Sequence, residues 1–324
     1  MNEEVDALLL LNKQKQMHNV SLKSKPKSKP KPKYWNRVGL LLLVLFVAAI
    51  GISTYLTEKE EAATEENEES LPGDAPSSIV TTSGRWELVK SFPHDSRAFT
   101  QGLVFDGKTS TLYESTGLHS RSSIRKIDAA TGTPLLVKDL GSEFFGEGIT
   151  VLPSGDLLML TWQEKTGFIF DGVTLEEKAR FEYTTKTGEG WGVTTVPGLG
   201  KGENATLCVS DGSATLAMWD ADTLEVQASV EVKTSEGKKV NLLNELEHYK
   251  GMEVLANVWF SDNVYRITMP SGIVNQVYDF SSLWPKASRP KSADVLNGIA
   301  VLANGDLLLT GKLWPAYYVV KLLT

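Results

Sequence analysis

Apolar and polar residues alternate along many short segments of residues 86–324, which is the pattern of half-buried β-strands. Residues 86–92 form the first such segment and residues 317–322 the last. Four segments between them end in an Asp or Thr with a Thr or Ser three residues later: Asp128 and Thr131, Asp171 and Thr174, Asp220 and Thr223, Thr268 and Ser271. A side-chain oxygen at this spacing caps a hairpin turn. The pattern therefore predicts an all-β domain built from hairpins.

A second pattern recurs every 44 to 53 residues over the same region. A glycine followed by an apolar residue stands at Gly102, Gly148, Gly192 and Gly298, and Glu245 replaces the glycine in the fourth copy. A period of 40–50 residues made of short strands is typical of a β-propeller with one four-stranded blade per repeat. Five copies predict a five-bladed β-propeller over residues 86–324.

The fifth repeat is one strand short. After Lys312 only the segment 317–322 remains before the chain ends, whereas the segment 86–92 precedes the first repeat without a partner. Pairing these two segments would complete the last blade and remove two open sheet edges. We therefore expect the N-terminal strand to close the ring.

The first quarter of the chain has a different character. Residues 38–56 carry no charge and are long enough for a transmembrane helix. Residues 1–37 are basic, and residues 57–85 are rich first in Glu and then in Ser, Pro and Thr. Because basic residues stay in the cytosol, we expect a cytosolic tail (1–37), a membrane anchor (38–56) and a solvated stalk (57–85).

This topology makes the chain a single-pass type II membrane protein with its propeller in the lumen or outside the cell. The sequon at Asn204 would then be open to glycosylation. A cleaved signal peptide is the alternative, but the apolar segment starts late and no small-residue cleavage pattern follows it. The formal net charge of −7 gives no reason to expect nucleic acid as a partner.

The sequence gives no indication of a histidine or cysteine metal site or of a nucleophilic serine. Four histidines are scattered without metal-ligand spacing, and Cys208 is the single cysteine. No Gly-x-Ser-x-Gly motif marks a nucleophilic serine.

The repeat instead predicts where chemistry is concentrated, because equivalent positions of every blade face the same central channel. The residues before the glycine position are Gln101, Glu147, Trp191, Asn244 and Asn297. Those fourteen residues after it are Thr116, Trp162, Trp259 and Lys312, while an insertion in the third copy leads to Asp211.

Glu147 is the one carboxylate in the first of these two sets. Indole rings around it would raise its pKa by desolvation and a nearby lysine would lower it, so that it could exchange a proton near neutral pH. For Gln101 and Asn297, a structural role in holding water and tying blades together is an equal alternative.

Ten short motifs stand in an order that resembles a known family. They are Phe-Thr-Gln-Gly-Leu (99–103), Tyr-Glu-Ser-Thr-Gly (113–117), Phe-Gly-Glu-Gly-Ile-Thr (145–150), Leu-Thr-Trp (160–162), Gly-Trp-Gly (190–192), Ser-Asp-Gly (210–212), Leu-Asn-Glu-Leu-Glu (243–247), Ala-Asn-Val-Trp (256–259), Leu-Asn-Gly-Ile (296–299) and Thr-Gly-Lys-Leu-Trp-Pro (310–315). This order resembles the plant and bacterial glutaminyl-peptide cyclotransferases, or glutaminyl cyclases. The resemblance covers residues 91–322 and leaves out residues 1–85.

The resemblance implies cyclisation of an N-terminal glutamine to pyroglutamate with release of ammonia, an aminoacyltransferase reaction on peptide or protein substrates. It implies that Glu147 shuttles the proton and that Asn244 and Lys312 stabilise the oxyanion. The implied substrate pocket consists of Phe99, Gln101, Trp162, Trp191, Trp259 and Asn297.

The resemblance also implies that no cofactor is required, and a metal ion in the channel would have a structural role. We expect a monomer. Two alternatives stay open: a propeller that binds peptide or sugar without catalysis, and a metal-dependent hydrolase, which would need several carboxylates around the axis.

Overall fold

The structure is a computed structural model and describes residues 80–199 and 204–323. Two strands precede the first repeat: β1 (Thr82–Ser83) and β2 (Arg85–Pro93). The described part of the chain then forms five sheets, one for each predicted repeat.

Three of the five blades each contain four consecutive antiparallel strands. Blade 1 has β3 (Thr100–Asp106), β4 (Thr111–Thr116), β5 (Ser123–Ile127) and β6 (Pro134–Asp139). Blade 2 has β7 (Gly146–Val151), β8 (Leu157–Thr161), β9 (Thr166–Phe170) and β10 (Glu177–Glu182). Blade 3 has β11 (Val193–Val196), β12 (Thr206–Ser210), β13 (Thr215–Asp220) and β14 (Val226–Glu231).

The last two blades incorporate the strands that precede the repeats. Blade 4 has β15 (Leu243–His248), β16 (Glu253–Val258), β17 (Asn263–Thr268) and β18 (Ile273–Asp279), with β1 on its outer edge. A short 3-10 helix (Lys286–Ser288) leads to blade 5. Blade 5 has β19 (Leu296–Val301), β20 (Leu307–Gly311) and β21 (Ala316–Leu323), with β2 as its outer strand.

The five-bladed propeller predicted from the repeat is therefore confirmed. So is its closure, because β2 pairs antiparallel with β21, with Trp86 opposite Leu322 and Phe92 opposite Tyr317. This pairing places β2 and the last strand β21 in one sheet and leaves no unpaired edge on β21.

The first strands of the repeats line the channel, since each contacts its neighbours around a closed ring. The repeat glycines permit this close approach. A Cβ at Gly148 would collide with the carbonyl of Trp191, to which the Gly148 N–H donates a hydrogen bond of 2.6 Å. A Cβ at Gly192 would likewise overlap the carbonyl of Asn244. The glycine spacing is thus a consequence of backbone packing between neighbouring blades.

The hydrophobic core is divided among the seams between blades, with one cluster at each of the five seams. Strand β8 shows why its apolar run is continuous. Its Leu157 and Met159 pack towards blade 1, and its Leu158 and Leu160 pack towards blade 3. A strand buried on both faces needs apolar residues at every position.

One boundary of the predicted stalk is wrong. Thr82 and Ser83 pair in parallel with Gln276 and Val277 of β18, and Thr81 Oγ1 donates to the Val274 carbonyl at 2.7 Å. Residues 81–85 are therefore part of the propeller rather than of a solvated segment. No sequence periodicity marks such a short strand, because two residues are too few to alternate.

The predicted tail (1–37) and membrane anchor (38–56) lie outside the described residues, as does most of the predicted stalk. Within residues 80–199 and 204–323, no helix has the length and apolar character needed to cross a membrane.

Candidate active site

The predicted site residues meet at the end of the channel where the first strand of each blade begins, here called the site end. Gln101, Glu147, Asn244 and Asn297 lie near the starts of β3, β7, β15 and β19, and Trp191 precedes β11. Trp162, Trp259 and Lys312 directly follow β8, β16 and β20. Each second strand runs antiparallel to the first, so its last residue returns to the same end.

Glu147 lies at the centre of this group and is 5% exposed. Its Oε1 accepts a hydrogen bond of 3.0 Å from Gln101 Nε2, and its Oε2 has no hydrogen-bond partner among the described residues. Burial raises the pKa of Glu147 well above its ordinary value; the charge of Lys312 opposes this shift, while Glu189 and Glu164 add to it. A carboxyl group with one free oxygen and a raised pKa is suited to accept and return a proton.

Lys312 faces Glu147 from blade 5 and is also buried. Its ammonium group lies 5.1 Å from the centroid of the Phe99 ring and makes no hydrogen bond to another described residue. Burial lowers the pKa of Lys312, and the charges of Glu147 and Asp294 oppose that shift. Its N–H groups are therefore available to a ligand.

The aromatic rings of the site form two sets of contacts, one around Trp191 and Trp259 and one around Phe145. Trp191 packs edge-on against Trp259 with ring centroids 5.3 Å apart, and Trp259 contacts Phe260 at 4.1 Å. Phe145 lies between Phe99 and Trp162, with ring centroids 6.1 and 5.5 Å away, and Trp162 also packs against the cluster of Trp191 and Trp259. Large aromatic faces around a carboxylate exclude water and shape a pocket for an uncharged side chain.

The asparagines differ from one another. The side-chain amide of Asn244 makes no hydrogen bond to another described residue, although its Oδ1 is buried. Asn297 Nδ2 instead donates to the carbonyl oxygens of Thr100 and Gln101 at 3.0 and 3.1 Å. Asn297 thus ties blade 5 to blade 1, which is the structural alternative considered for it, and its buried Oδ1 has no partner among the described residues.

Two residues at the equivalent repeat positions do not join the site. Thr116 Oγ1 pairs with Ser123 Oγ at 2.8 Å inside blade 1. Asp211 accepts hydrogen bonds from Ser213 and from the Thr187 N–H, so it holds a loop in place. Asn204, the predicted glycosylation site, is exposed in the connection between β11 and β12, where residues 200–203 lie outside the description.

Sequence reasoning missed Glu189 and Phe145. Glu189 Oε2 accepts the indole N–H of both Trp162 and Trp191, at 2.8 and 2.9 Å. Its only signal in the sequence is its position two residues before Trp191. Phe145 stands two residues before Glu147, and neither spacing is specific enough to predict a role.

The described side chains of the channel include few of the residue types that most often bind metal ions. Among residues 80–199 and 204–323, no group of three or more His, Cys, Asp or Glu side chains is placed to bind one. Glu245 is a buried acid on the channel strand β15, next to Asn244. Both of its carboxylate oxygens already accept hydrogen bonds from backbone N–H groups, those of Leu103 and Ile299. Whether the reaction requires a cofactor stays a prediction.

Comparison with known proteins shows the family. The profile of the glutamine cyclotransferase family matches residues 56–322. A glutaminyl-peptide cyclotransferase of Arabidopsis thaliana is 40% identical over 239 residues, which is 73% of this chain and 71% of the plant protein. The chain belongs to the glutamine cyclotransferase family.

A solved structure extends the likeness of this cyclotransferase to its fold. The crystal structure of the Myxococcus xanthus glutaminyl cyclase superposes with a TM-score of 0.65 at 31% identity, covering 75% of this chain and 98% of the bacterial one. The resemblance inferred from ten motifs is thereby confirmed.

Proposed function

We propose that this cyclotransferase converts the N-terminal glutamine of peptides and proteins to pyroglutamate and releases ammonia. The observation that carries the proposal is the arrangement around Glu147. A buried carboxyl with one free oxygen faces an ammonium group and an unbonded amide, inside a wall of tryptophan rings. Family membership supports the same reaction.

The glutamine side chain enters the aromatic pocket formed by Trp162, Trp191 and Trp259, with Phe99 and Gln101 at its floor. The pocket curls the side chain so that the α-amine lies beside the γ-carbonyl carbon. Positioning of two groups of the same molecule supplies much of the rate in a ring closure of this kind.

Glu147 then moves the proton. The α-amine forms a C–N bond to the γ-carbon, and Glu147 accepts the proton that the amine loses. The carbonyl oxygen becomes an oxyanion, which Lys312 Nζ and the Asn244 amide stabilise by donating hydrogen bonds. Glu147 returns the proton to the γ-nitrogen, the old C–N bond breaks, and ammonia leaves. An acyl group passes from one nitrogen to another, so the enzyme is an acyltransferase and needs no cofactor.

The test is turnover by the purified full chain with a Gln-initiated peptide. We expect ammonia release with a matching loss of mass from the peptide, unaffected by a chelator. A control peptide with an acetylated α-amine should release no ammonia, because its nitrogen cannot attack. Binding of the first peptide without any turnover would overturn the proposal in favour of a non-catalytic propeller.

We also propose that residues 38–56 anchor the protein in a membrane as a single-pass type II protein, with a luminal or extracellular propeller that acts as a monomer and has no nucleic-acid partner. The charge asymmetry around residues 38–56 supports this orientation. In a eukaryotic secretory host, the full chain should stay with membranes after a carbonate wash. It should also show a glycosidase-sensitive mass shift that Asn204→Gln abolishes. Asn19 stands in a second sequon, Asn-Val-Ser (19–21), within the predicted cytosolic tail, so a shift that depends on Asn19 would invert the topology.

A further inference from the structure

One carboxylate connects the two sets of aromatic contacts in the pocket. Glu189 Oε2 accepts the indole N–H of Trp162, which follows β8 of blade 2, and that of Trp191, which precedes β11 of blade 3. Its other oxygen, Oε1, accepts Gln163 Nε2 at 2.8 Å. Hydrogen bonds to a charged acceptor are stronger than neutral ones, so this group fixes two ring orientations at once.

Glu189 is itself held in place by its loop. Thr185 Oγ1 donates to the Glu189 carbonyl at 2.6 Å, and the Glu189 N–H donates to Thr187 Oγ1 at 3.3 Å. Thr187 is anchored in turn on Asp211, its N–H donating to Oδ2 at 3.0 Å and its Oγ1 to the carbonyl oxygen at 2.8 Å. The carboxylate therefore projects from a braced segment, and the tryptophans bind to a fixed point.

The charge of Glu189 also acts on Glu147. Burial is the main cause of the raised pKa of Glu147, and the negative charge of Glu189 raises it further. Glu164 has the same electrostatic effect on Glu147, but no hydrogen bond joins it to the tryptophans. Glu164 pairs instead with His119, at 3.8 Å between Oε1 and Nε2. The chain thus offers one residue that combines indole contacts with charge and a second that supplies charge without indole contacts.

We propose that Glu189 is a positioning residue for the cyclisation, which orients Trp162 and Trp191 as the walls of the glutamine pocket and supplies negative charge beside Glu147. This inference rests on the proposed function of the site. Neither indole N–H has another hydrogen-bond acceptor among the described residues, so loss of the carboxylate leaves the two rings held by packing alone.

The test compares Glu189→Gln with Glu164→Gln. In Glu189→Gln the acceptor loses its charge, and its amide N–H faces either the indoles, which are donors, or Gln163, whose amide must turn over to present its oxygen. We expect KM for a Gln-initiated peptide to rise about tenfold with a smaller change in kcat. Both variants should move the acid limb of the kcat profile to lower pH, because each removes a negative charge near Glu147. Only Glu189→Gln should raise KM.

Near-ultraviolet circular dichroism tests the ring orientation without substrate. Its tryptophan bands should change in Glu189→Gln and not in Glu164→Gln. If the wild-type chain releases no ammonia, the proposed function fails, while the dichroism still reports on the contact between Glu189 and the indoles. With an active wild type, an unchanged KM and unchanged tryptophan bands in Glu189→Gln would overturn this inference.

A milder variant covers the case in which Glu189→Gln does not fold. Gln163→Ala removes only the hydrogen bond to Glu189 Oε1 and keeps both indole contacts. It should raise KM in the same direction by about twofold to threefold, without moving the acid limb. A KM equal to that of the wild type in this variant would then count against the inference.

Discussion

Glu147 and Glu245 are two buried carboxyl groups on the channel strands with opposite surroundings. Burial raises the pKa of both well above the ordinary value. Glu245 accepts backbone N–H groups on both oxygens, from Leu103 of blade 1 at 3.3 Å and from Ile299 of blade 5 at 3.0 Å. Glu147 accepts one side-chain amide and leaves its second oxygen free.

The contrast shows that a buried acid with a raised pKa is not by itself a reactive group. Glu245 satisfies two backbone donors and holds three blades together, so its oxygens are not available to a ligand. Glu147 faces aromatic rings and Lys312, where a proton can move to and from a bound molecule. The free oxygen distinguishes the two.

A buried acid at the far end of the channel, Glu247, also differs from Glu147. A cavity of about 640 Å³ lies there, where the first strands end, and it is lined by Thr150, Thr194, Glu247 and other residues without tryptophan. Burial raises the pKa of Glu247 to about 8, and hydrogen bonds from the Val301 and His248 N–H groups and Thr194 oppose the shift. The acid at this end is again bonded to the backbone.

Glu147→Gln should have the largest effect. The amide keeps the shape of the side chain but cannot accept the proton, so kcat should fall about 100-fold or more while the melting temperature stays close to that of the wild type. Steady-state kinetics with thermal melts measure both quantities. Near-normal kcat would remove Glu147 from the mechanism and erase its difference from Glu245.

Glu245→Gln should lower stability and leave kcat nearly unchanged. An amide can accept only one of the two backbone N–H groups and sets a donor against the other, so the free energy of unfolding should fall by about 1 to 3 kcal/mol. We expect kcat to stay within about twofold of wild type, because nothing in the pocket changes. Denaturant unfolding and kinetics on the same preparation check this; a large kcat loss at unchanged stability would contradict it.

Trp259→Ala tests the aromatic wall of the site end. Loss of the ring removes the contact with Trp191 and admits water beside Glu147, so KM should rise about tenfold. Burial raises the pKa of Glu147, so added water should also move the acid limb of kcat to lower pH. If KM and the pH profile are both unchanged, the tryptophan is core packing rather than pocket.

Glu247→Gln should have the smallest effect on kcat, because Glu247 lies at the far end of the channel, and its effect on stability should depend on pH. Between its ordinary pKa of 4.5 and the folded value of about 8, the folded chain keeps a proton that the unfolded chain has released. The free energy of unfolding therefore falls as the pH rises through this range. Glutamine does not titrate, so the variant should lack this loss of stability, which a shift from 4.5 to about 8 makes about 3 kcal/mol between pH 5 and pH 8. If the melting temperatures of the wild type and the variant change equally with pH across this range, Glu247 ionises normally.

The sequence alone determined the architecture and most of the site. The repeat from Gly102 to Gly298 predicted five blades, and the unpaired segment 86–92 predicted the closure that β2 and β21 make. It also placed Glu147, Trp162, Trp191, Trp259 and Lys312 together. This was possible because a regular repeat maps equivalent positions onto one end of a ring, so spacing along the chain becomes position in space.

Only the tertiary structure decided how the individual side chains are used. It showed that Glu189 accepts hydrogen bonds from the indoles of Trp162 and Trp191, which belong to different blades. It also showed that both oxygens of Glu245 accept backbone N–H groups and that Asn297 hydrogen-bonds blade 5 to blade 1. It also added β1 to blade 4. The contacts of Glu245 and Asn297 cross seams between blades, where the partners are far apart in the sequence. Hydrogen bonding at such a seam depends on distances of a few tenths of an ångström, which residue type and spacing do not encode.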